Sequence, residues 1–494
     1  MSDTPKTRAP LPILIALSAA TLTGSLGISI ATVLLPALTR SFDATVSEVQ
    51  WVLLAYLMAL TIAIVSAGRL GDLLGHRRVL IAGLAIFIAA SVLCAAAPSL
   101  GALIAGRGLQ GLGGAILLAL SMSLARDLVP AARLGSAMGL IAATTAIGTA
   151  LGPSLGGVLL AWCGWRMAFW LLAGVGAFTF GIAAAALPRE TGRASTVSLA
   201  DLDVPGSLVL GVALAAYALA TSHGILDLPI PTTGLIAIAA VAAVMFAIVE
   251  SRVATPLVPL ALLRDATIGL GFLMNLIVGA IMMSTLVVGP FFLAFSLGLN
   301  EALVGLVMAV GPAIAAISGI PAGRLTDRFG TQRVCVFGLL QMILALVCLA
   351  ALPRFFGVGG YVAALFALTP SFQLFLAANT TAVLADASRE ERGRVAGLLG
   401  LSRNLGLMTG ASAIPAVFVG ILGTGDVARA PIQGIAHAFS MTFAATAGLA
   451  AITLGIAILR QMGGRSPQPL RKNRAAESER VPHLAEERRR PKRL

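Results

Sequence analysis

Long apolar runs alternate with short polar segments along almost the whole chain. Runs of about 18 or more apolar residues in such a series predict membrane-spanning helices. Fourteen spans are predicted, near 11–38, 49–67, 79–97, 99–124, 135–161, 166–187, 204–222, 231–250, 267–297, 301–322, 333–352, 359–385, 394–422 and 434–459. Several exceed the length of a perpendicular crossing, which permits tilt or kinks. The first apolar run is too long for the apolar region of a signal peptide, so it is expected to stay as a span. The last segment, 462–494, is rich in Arg, Glu and Pro and has no apolar period, which predicts a disordered tail.

Two polar loops break this pattern at matching places. Gly68-Arg69-Leu70-Gly71-Asp72-Leu73-Leu74-Gly75-His76-Arg77-Arg78 returns as Gly323-Arg324-Leu325-Thr326-Asp327-Arg328-Phe329-Gly330-Thr331-Gln332-Arg333, 255 residues later. The first copy joins spans 2 and 3, the second spans 10 and 11. Glycine-rich polar hairpins recurring in two apolar halves mark a duplicated membrane bundle. Six-helix halves would place the copies six spans apart, so spans 7 and 8 are an inserted pair. The predicted organisation is an N-terminal six-helix bundle (1–187), a linker and two inserted helices (188–264), a C-terminal six-helix bundle (265–461) and a basic tail (462–494).

Composition agrees with a membrane protein. Of 494 residues, 58% are hydrophobic and 11% charged, and the mean hydropathy is +0.96, too little charge to cover a soluble protein of this size. The net charge of +13 is unevenly placed. With the N-terminus inside, the outer loops hold Arg40, Arg166, Arg354 and Arg429, two arginines (Arg107 and Arg403) fall within spans, and the other 28 of the 34 Lys and Arg lie on the inner side. That asymmetry predicts both termini in the cytoplasm. The same excess points to anionic lipid rather than nucleic acid. Cys94, Cys163, Cys335 and Cys348 have no paired spacing, so no disulfide, metal site or cofactor is expected. No nucleophile–base pair or phosphate-binding Gly-rich Lys loop is present, which argues against an enzyme and against ATP as the energy source.

Three motifs carry a resemblance. The first is the loop pair, with Gly68, Asp72, Gly75, Arg77 and Arg78 in one copy and Gly323, Asp327, Arg328 and Gly330 in the other. Asp72 is expected near the start of a helix, where the positive dipole end and nearby Arg groups hold a carboxylate in one state and release it in another. The second is Arg107-Gly108-Leu109-Gln110-Gly111 in span 4, with Arg107, Gln110 and Gly111 on one helix face. An arginine inside a span is costly and faces a polar interior. The third is Gly148-Thr149-Ala150-Leu151-Gly152-Pro153-Ser154-Leu155-Gly156-Gly157 in span 5. Its four-residue glycine repeat makes a flat groove, and Pro153 favours a kink. Together these resemble the major facilitator superfamily, specifically its fourteen-helix drug:proton antiporters, over nearly the whole chain. The resemblance implies an all-α major facilitator fold in the inner membrane, with two six-helix bundles and two inserted central helices. It also implies export of a small-molecule substrate by alternating access against protons. In the family the loops act as gates, the arginine is linked to proton transfer, and the glycine–proline motif signals exchange.

The chain departs from that pattern in span 1, where Gly27 stands at the place of a usual aspartate. None of the 21 acidic residues falls in the middle of a span. A buried carboxylate is the usual partner of cationic drugs and the usual proton carrier. Without one, a neutral, weakly acidic or zwitterionic apolar substrate is expected. The proton-coupling candidates are Arg107, Gln110, Asp43 and Glu48. The candidate cavity residues are Ser29, Thr32, Tyr56, Asn275, Met282, Met283, Phe291, Phe292, Gln373, Phe375, Asn379 and Arg403, since Met and aromatic walls adapt to varied ligands. Two other readings compete with multidrug export: a dedicated exporter of one metabolite or antibiotic, and a non-transporting receptor on the same fold.

Overall fold

The structure, a computed structural model, describes residues 11–188, 204–221, 231–252, 265–386 and 392–463. The predicted linker at 189–203 and the basic tail from 464 lie outside the described residues. Every regular element among the described residues is helical, and twelve helices are long and apolar enough to cross a bilayer. The first half comprises α1 (Leu11–Phe42), the single-turn α2 (Val46–Val49), α3 (Trp51–Leu74), α4 (His76–Ala95), α5 (Leu100–Leu128), α6 (Ala131–Cys163) and α7 (Trp165–Ala186). Then come α8 (Val204–Thr221) and α9 (Thr232–Arg252). The second half comprises α10 (Ala266–Phe291), α11 (Glu301–Phe329), α12 (Thr331–Asp386), α13 (Arg392–Leu422) and α14 (Ile432–Gly463).

Local chemistry sets the helix ends. Asn300 accepts from the Leu303 amide at 2.9 Å and starts α11, and Ser99 caps α5 the same way. Gly75 and Gly330 end α3 and α11 with φ of 94° and 85°. These are equivalent glycines of the two loop copies, held in a backbone conformation that a side chain rarely adopts.

As a straight rod, the 56 residues of α12 would run about 84 Å, more than twice the bilayer core. They instead fold back at Gly357, whose φ is 53°. Gly338 lies against Leu374, Gln341 donates to the Ala367 carbonyl at 2.9 Å, and Gly360 rests on Leu352. Such pairings, closing evenly about one point, describe two antiparallel arms. These arms are the predicted spans 11 and 12.

The halves repeat one packing scheme. In the first, α1 lies along α6, and α5 sits between α3 and α4; in the second, α10 lies along α13, and α12 contacts both α11 and α14. The halves meet along α6 with α11, along α3 with α13 as a second seam, and where α1 touches α10. α8 packs on α3 and α13 beside the second seam, where Tyr217 hydrogen-bonds Thr409. Outward positions such as Phe178, Ile317 and Phe337 are exposed and apolar, as a lipid-facing surface requires.

Candidate substrate chamber and coupling site

A chamber of about 400 Å³ lies between the halves. Most of its wall comes from α10, α11, the second arm of α12 and α13, while Met122, Thr145 and Thr149 of the first half close the opposite side. Of the twelve cavity residues expected from sequence, Asn275, Met282, Gln373, Phe375 and Arg403 line it. The other seven do not. Ser29 and Thr32 turn their hydroxyls to helix carbonyls, including that of Gly148. Asn379 donates to the Gly271 carbonyl at 3.0 Å and fastens α12 to α10. Met283 is buried between helices. Phe291 and Phe292 are buried too, and Phe292 stacks on Phe439 at 3.9 Å, within a cluster that reaches Tyr361. Tyr56 is buried in the first half beneath Arg107.

Sequence reasoning missed the chamber threonines Thr145, Thr149, Thr285 and Thr369. Two of them were visible as signals. Thr145 and Thr149 are spaced i, i+4 beside the glycine stripe, which places them on one helix face.

The chamber is closed at one end. There Arg40 pairs with Glu301 at 3.3 Å and lies over the Phe295 ring. Arg429 reaches Asp43 at 3.7 Å, and the Val46 amide donates to the Gly425 carbonyl at 3.2 Å. Each contact joins one half to the other. Below them α6 and α11 touch backbone to backbone: a Cβ on Gly157 would meet Gly305 Cα at 2.6 Å. The span-5 motif therefore has two faces. Gly148, Gly152 and Gly156 abut α1 within the first half, whereas Gly157 and the Pro153 carbonyl abut Gly305 across the seam.

Asp43 and Glu48 sit at this closed end, outside the chamber. Asp43 is an exposed partner of Arg429, and Glu48 is occupied in a capping box, accepting from the Thr45 amide at 2.6 Å. Among the described residues, no Asp or Glu lines the chamber.

The opposite end carries the loop copies. In the first, Asp72 stands in the last turn of α3 and not at a helix start as expected, so its partner is a side chain and not a positive dipole end: His76 lies 3.1 Å from Asp72 and 3.0 Å from Asp127 and bridges the ends of α3 and α5. Both ring nitrogens face carboxylates, which only accept, so both bonds form together when the ring carries two protons. Arg77 donates to the carbonyls of Ala184 and Leu187 and caps α7. In the second copy Arg328 lies over the Phe329 ring. No ion pair involves Asp327 among the described residues. A His76→Ala variant is expected to raise amide exchange at the ends of α3 and α5 roughly two- to fivefold, the size of a partly exposed ion pair. Hydrogen-exchange mass spectrometry measures it.

Arg107 is fully buried within the first half. Its Nε donates to the Val52 carbonyl at 2.8 Å and its Nη1 to the Gly27 carbonyl at 3.0 Å and to Gln110. Gln110 donates to Ser91 at 2.7 Å, and the guanidinium lies 4.3 Å from the centre of the Tyr56 ring. A Cβ on Gly27 would meet Phe87 at 3.0 Å and the Tyr56 hydroxyl at 3.1 Å, so those rings fill the space of an aspartate. Nη2 has no hydrogen-bond partner among the described residues.

Twelve apolar helices, eleven of them in two similarly packed halves that share a chamber closed at one end, define a multi-pass membrane transporter. The chain belongs to the Major Facilitator Superfamily, whose family model matches residues 17–292 and 270–493. It is 29% identical over 409 residues to the uncharacterized transporter YebQ of Escherichia coli, covering 82% of this chain and 87% of that protein. It is 28% identical to the tetracenomycin C resistance and export protein of Streptomyces glaucescens, covering 71% and 65% respectively. Among solved structures, a bacterial homologue of the human lysosomal transporter Spinster, in an inward-facing and unoccupied conformation, superposes with a TM-score of 0.68. That likeness covers 92% of this chain and 98% of the other at 16% identity, and concerns the fold.

Proposed function

We propose that the protein exports apolar or amphipathic small molecules, as a multidrug-type efflux pump, by alternating access and in exchange for protons. The observation that carries this is the chamber between the halves, walled by methionine and aromatic side chains and free of carboxylates. Such walls accommodate varied apolar ligands. Counting the two arms of α12 separately and adding α8 gives fourteen crossings, with both termini in the cytoplasm on the charge asymmetry of the loops. In that orientation the closed end is external and the chamber communicates with the cytoplasm, the state in which a pump collects its cargo. The two loop copies are the cytoplasmic gates, with His76 bracing one. Proton coupling rests on the Arg107–Gln110–Ser91 network, since no acid lines the chamber. A dedicated exporter of one compound is the second reading, favoured by the name of the Streptomyces relative.

Transport into inside-out vesicles with an imposed pH gradient, using neutral, anionic and cationic compounds, tests this. Gradient-dependent accumulation of neutral and anionic compounds is the expected result. Accumulation that ignores the gradient removes the proton, and tight selection for quaternary dications removes the acid-free chamber as the substrate site.

A further inference from the structure

The chamber holds one formal charge, and the polar groups around it are largely used up. Thr145, Thr149 and Thr285 each donate to a carbonyl of their own helix, at 3.0, 2.9 and 3.2 Å. The Asn275 amide donates to the Leu399 carbonyl at 2.8 Å, and the Tyr361 hydroxyl points to the Met308 sulfur. Arg403 stands among them on α13, where its own carbonyl faces Gly279 on α10. Among the described residues Arg403 has no ion pair and no side-chain hydrogen bond. A guanidinium that lines an apolar, half-enclosed space without an acceptor is costly, and an anion entering the space removes that cost. Arginine offers a fixed fork of donors suited to a carboxylate. Phe372 and Phe375 supply flat apolar surface on the neighbouring arm of α12.

The geometry points to Arg403 as the anchor of an anion subsite, so that the preferred cargo is a planar aromatic molecule bearing a single carboxylate or similar negative group. This rests on the export reading and narrows it. The anionic group sits on Arg403 against α13, and the ring system lies on the phenylalanine and methionine wall. The subsite is distinct from Arg107, which belongs to the packed interior of the first half.

The test compares three fluorescent probes of one skeleton: anthracenecarboxylate, its methyl ester, and a trimethylammoniomethyl anthracene. Binding to the purified full-length protein is measured by equilibrium dialysis. The carboxylate is expected to bind about 10- to 100-fold more tightly than the ester, the range of a charge-assisted hydrogen bond, with the cation weakest. Arg403→Gln is expected to erase the carboxylate preference, and Arg403→Lys to keep part of it. Thermal unfolding of each variant shows that the site, and not the fold, has changed. Equal binding of carboxylate and ester, or a preference that survives Arg403→Gln, overturns the proposal. The same probes in proteoliposomes separate it from the export reading. A binding preference without movement of any probe refutes export and leaves the anion subsite standing. Movement of all three with no preference refutes the subsite and leaves export standing.

Discussion

A Gly157→Val variant is expected to fold and insert normally and to lose nearly all transport, because its chamber can no longer close at the Arg40–Glu301 end. The cause is steric and local. At Gly157 the seam has no room for a Cβ, which would approach Gly305 Cα at 2.6 Å and the Glu301 carbonyl at 2.8 Å. The clash is mutual, since a Cβ on Gly305 would meet the Pro153 carbonyl at 2.6 Å. Both partners are backbone, which cannot rotate away. Overpacking of this kind costs roughly 1–3 kcal/mol. It falls only on the state in which α6 and α11 touch, so each half keeps its own packing. A one-state penalty of about 3 kcal/mol shifts a two-state equilibrium by roughly 100-fold.

The measurement is thiol labelling from either side of the membrane. A cysteine at Met122, on the chamber wall, is introduced after the exposed Cys163 is replaced by serine. Impermeant reagent is expected to reach it from the cytoplasmic side in the parent and from the external side in Gly157→Val. Wild-type transport with parental labelling would show that the seam is not a gate. Gly152→Ala is the contrasting substitution. Its Cβ would fall on the Ser29 side chain and within 2.7 Å of the Ile30 amide, inside the first half. It is therefore expected to lower stability and yield instead of redistributing conformations.

The same motif shows what a sequence conveys and where it stops. The apolar helices and the two loop copies were legible because hydropathy and charge are properties of whole segments, and lipid imposes them strongly. Even the 56-residue α12 was read as two spans, since a membrane allows only one crossing length. The chamber wall was less legible. Whether a residue faces the chamber depends on helix rotation and on which neighbour fills the gap. Asn379 and Asn275 are both polar residues within spans, and each bonds a carbonyl of a neighbouring helix, yet only Asn275 also lines the chamber. Phe291 and Phe292 were expected as ligand surface, but Phe292 is consumed by stacking on Phe439 and Phe291 by stacking on Phe295. The glycine stripe was visible as a stripe, but its division between α1 and α11 needs a third dimension. Glu48 stood among the proton-coupling candidates, and only the structure shows its carboxylate engaged in the capping box of a one-turn helix.

Arg107→Met is expected to leave the protein about as stable as before while abolishing gradient-driven transport. The buried guanidinium touches Val52, Gly27 and Gln110, and no carboxylate pairs with it among the described residues. Placing such a charge in a bilayer interior costs roughly 2.5–3.5 kcal/mol on insertion scales. Its hydrogen bonds return about 1–3 kcal/mol each where the partners would otherwise be unsatisfied. Val52 and Gly27 lie inside α3 and α1, so their carbonyls keep helical bonds when the arginine is removed, which lowers the cost of losing it. The two effects nearly cancel, and methionine fills the apolar part of the volume, as replacement of buried charges by apolar side chains often permits. A residue expected to contribute so little to stability is free to serve coupling. A fixed positive charge acts on a proton or charged group passing roughly 10 Å away by about 1.7 kcal/mol at an effective dielectric near 20, which is more than tenfold in an equilibrium. Removing it is therefore expected to uncouple the proton step while substrate binding persists. Arg107→Lys keeps the charge but not the forked bonds, and is expected to retain partial coupling. Thermal unfolding, probe binding and vesicle transport measured on the same preparations decide the matter. If Arg107→Met unfolds well below the parent, the network is a structural clasp; if it transports at the parental rate under every gradient, the charge plays no part in coupling.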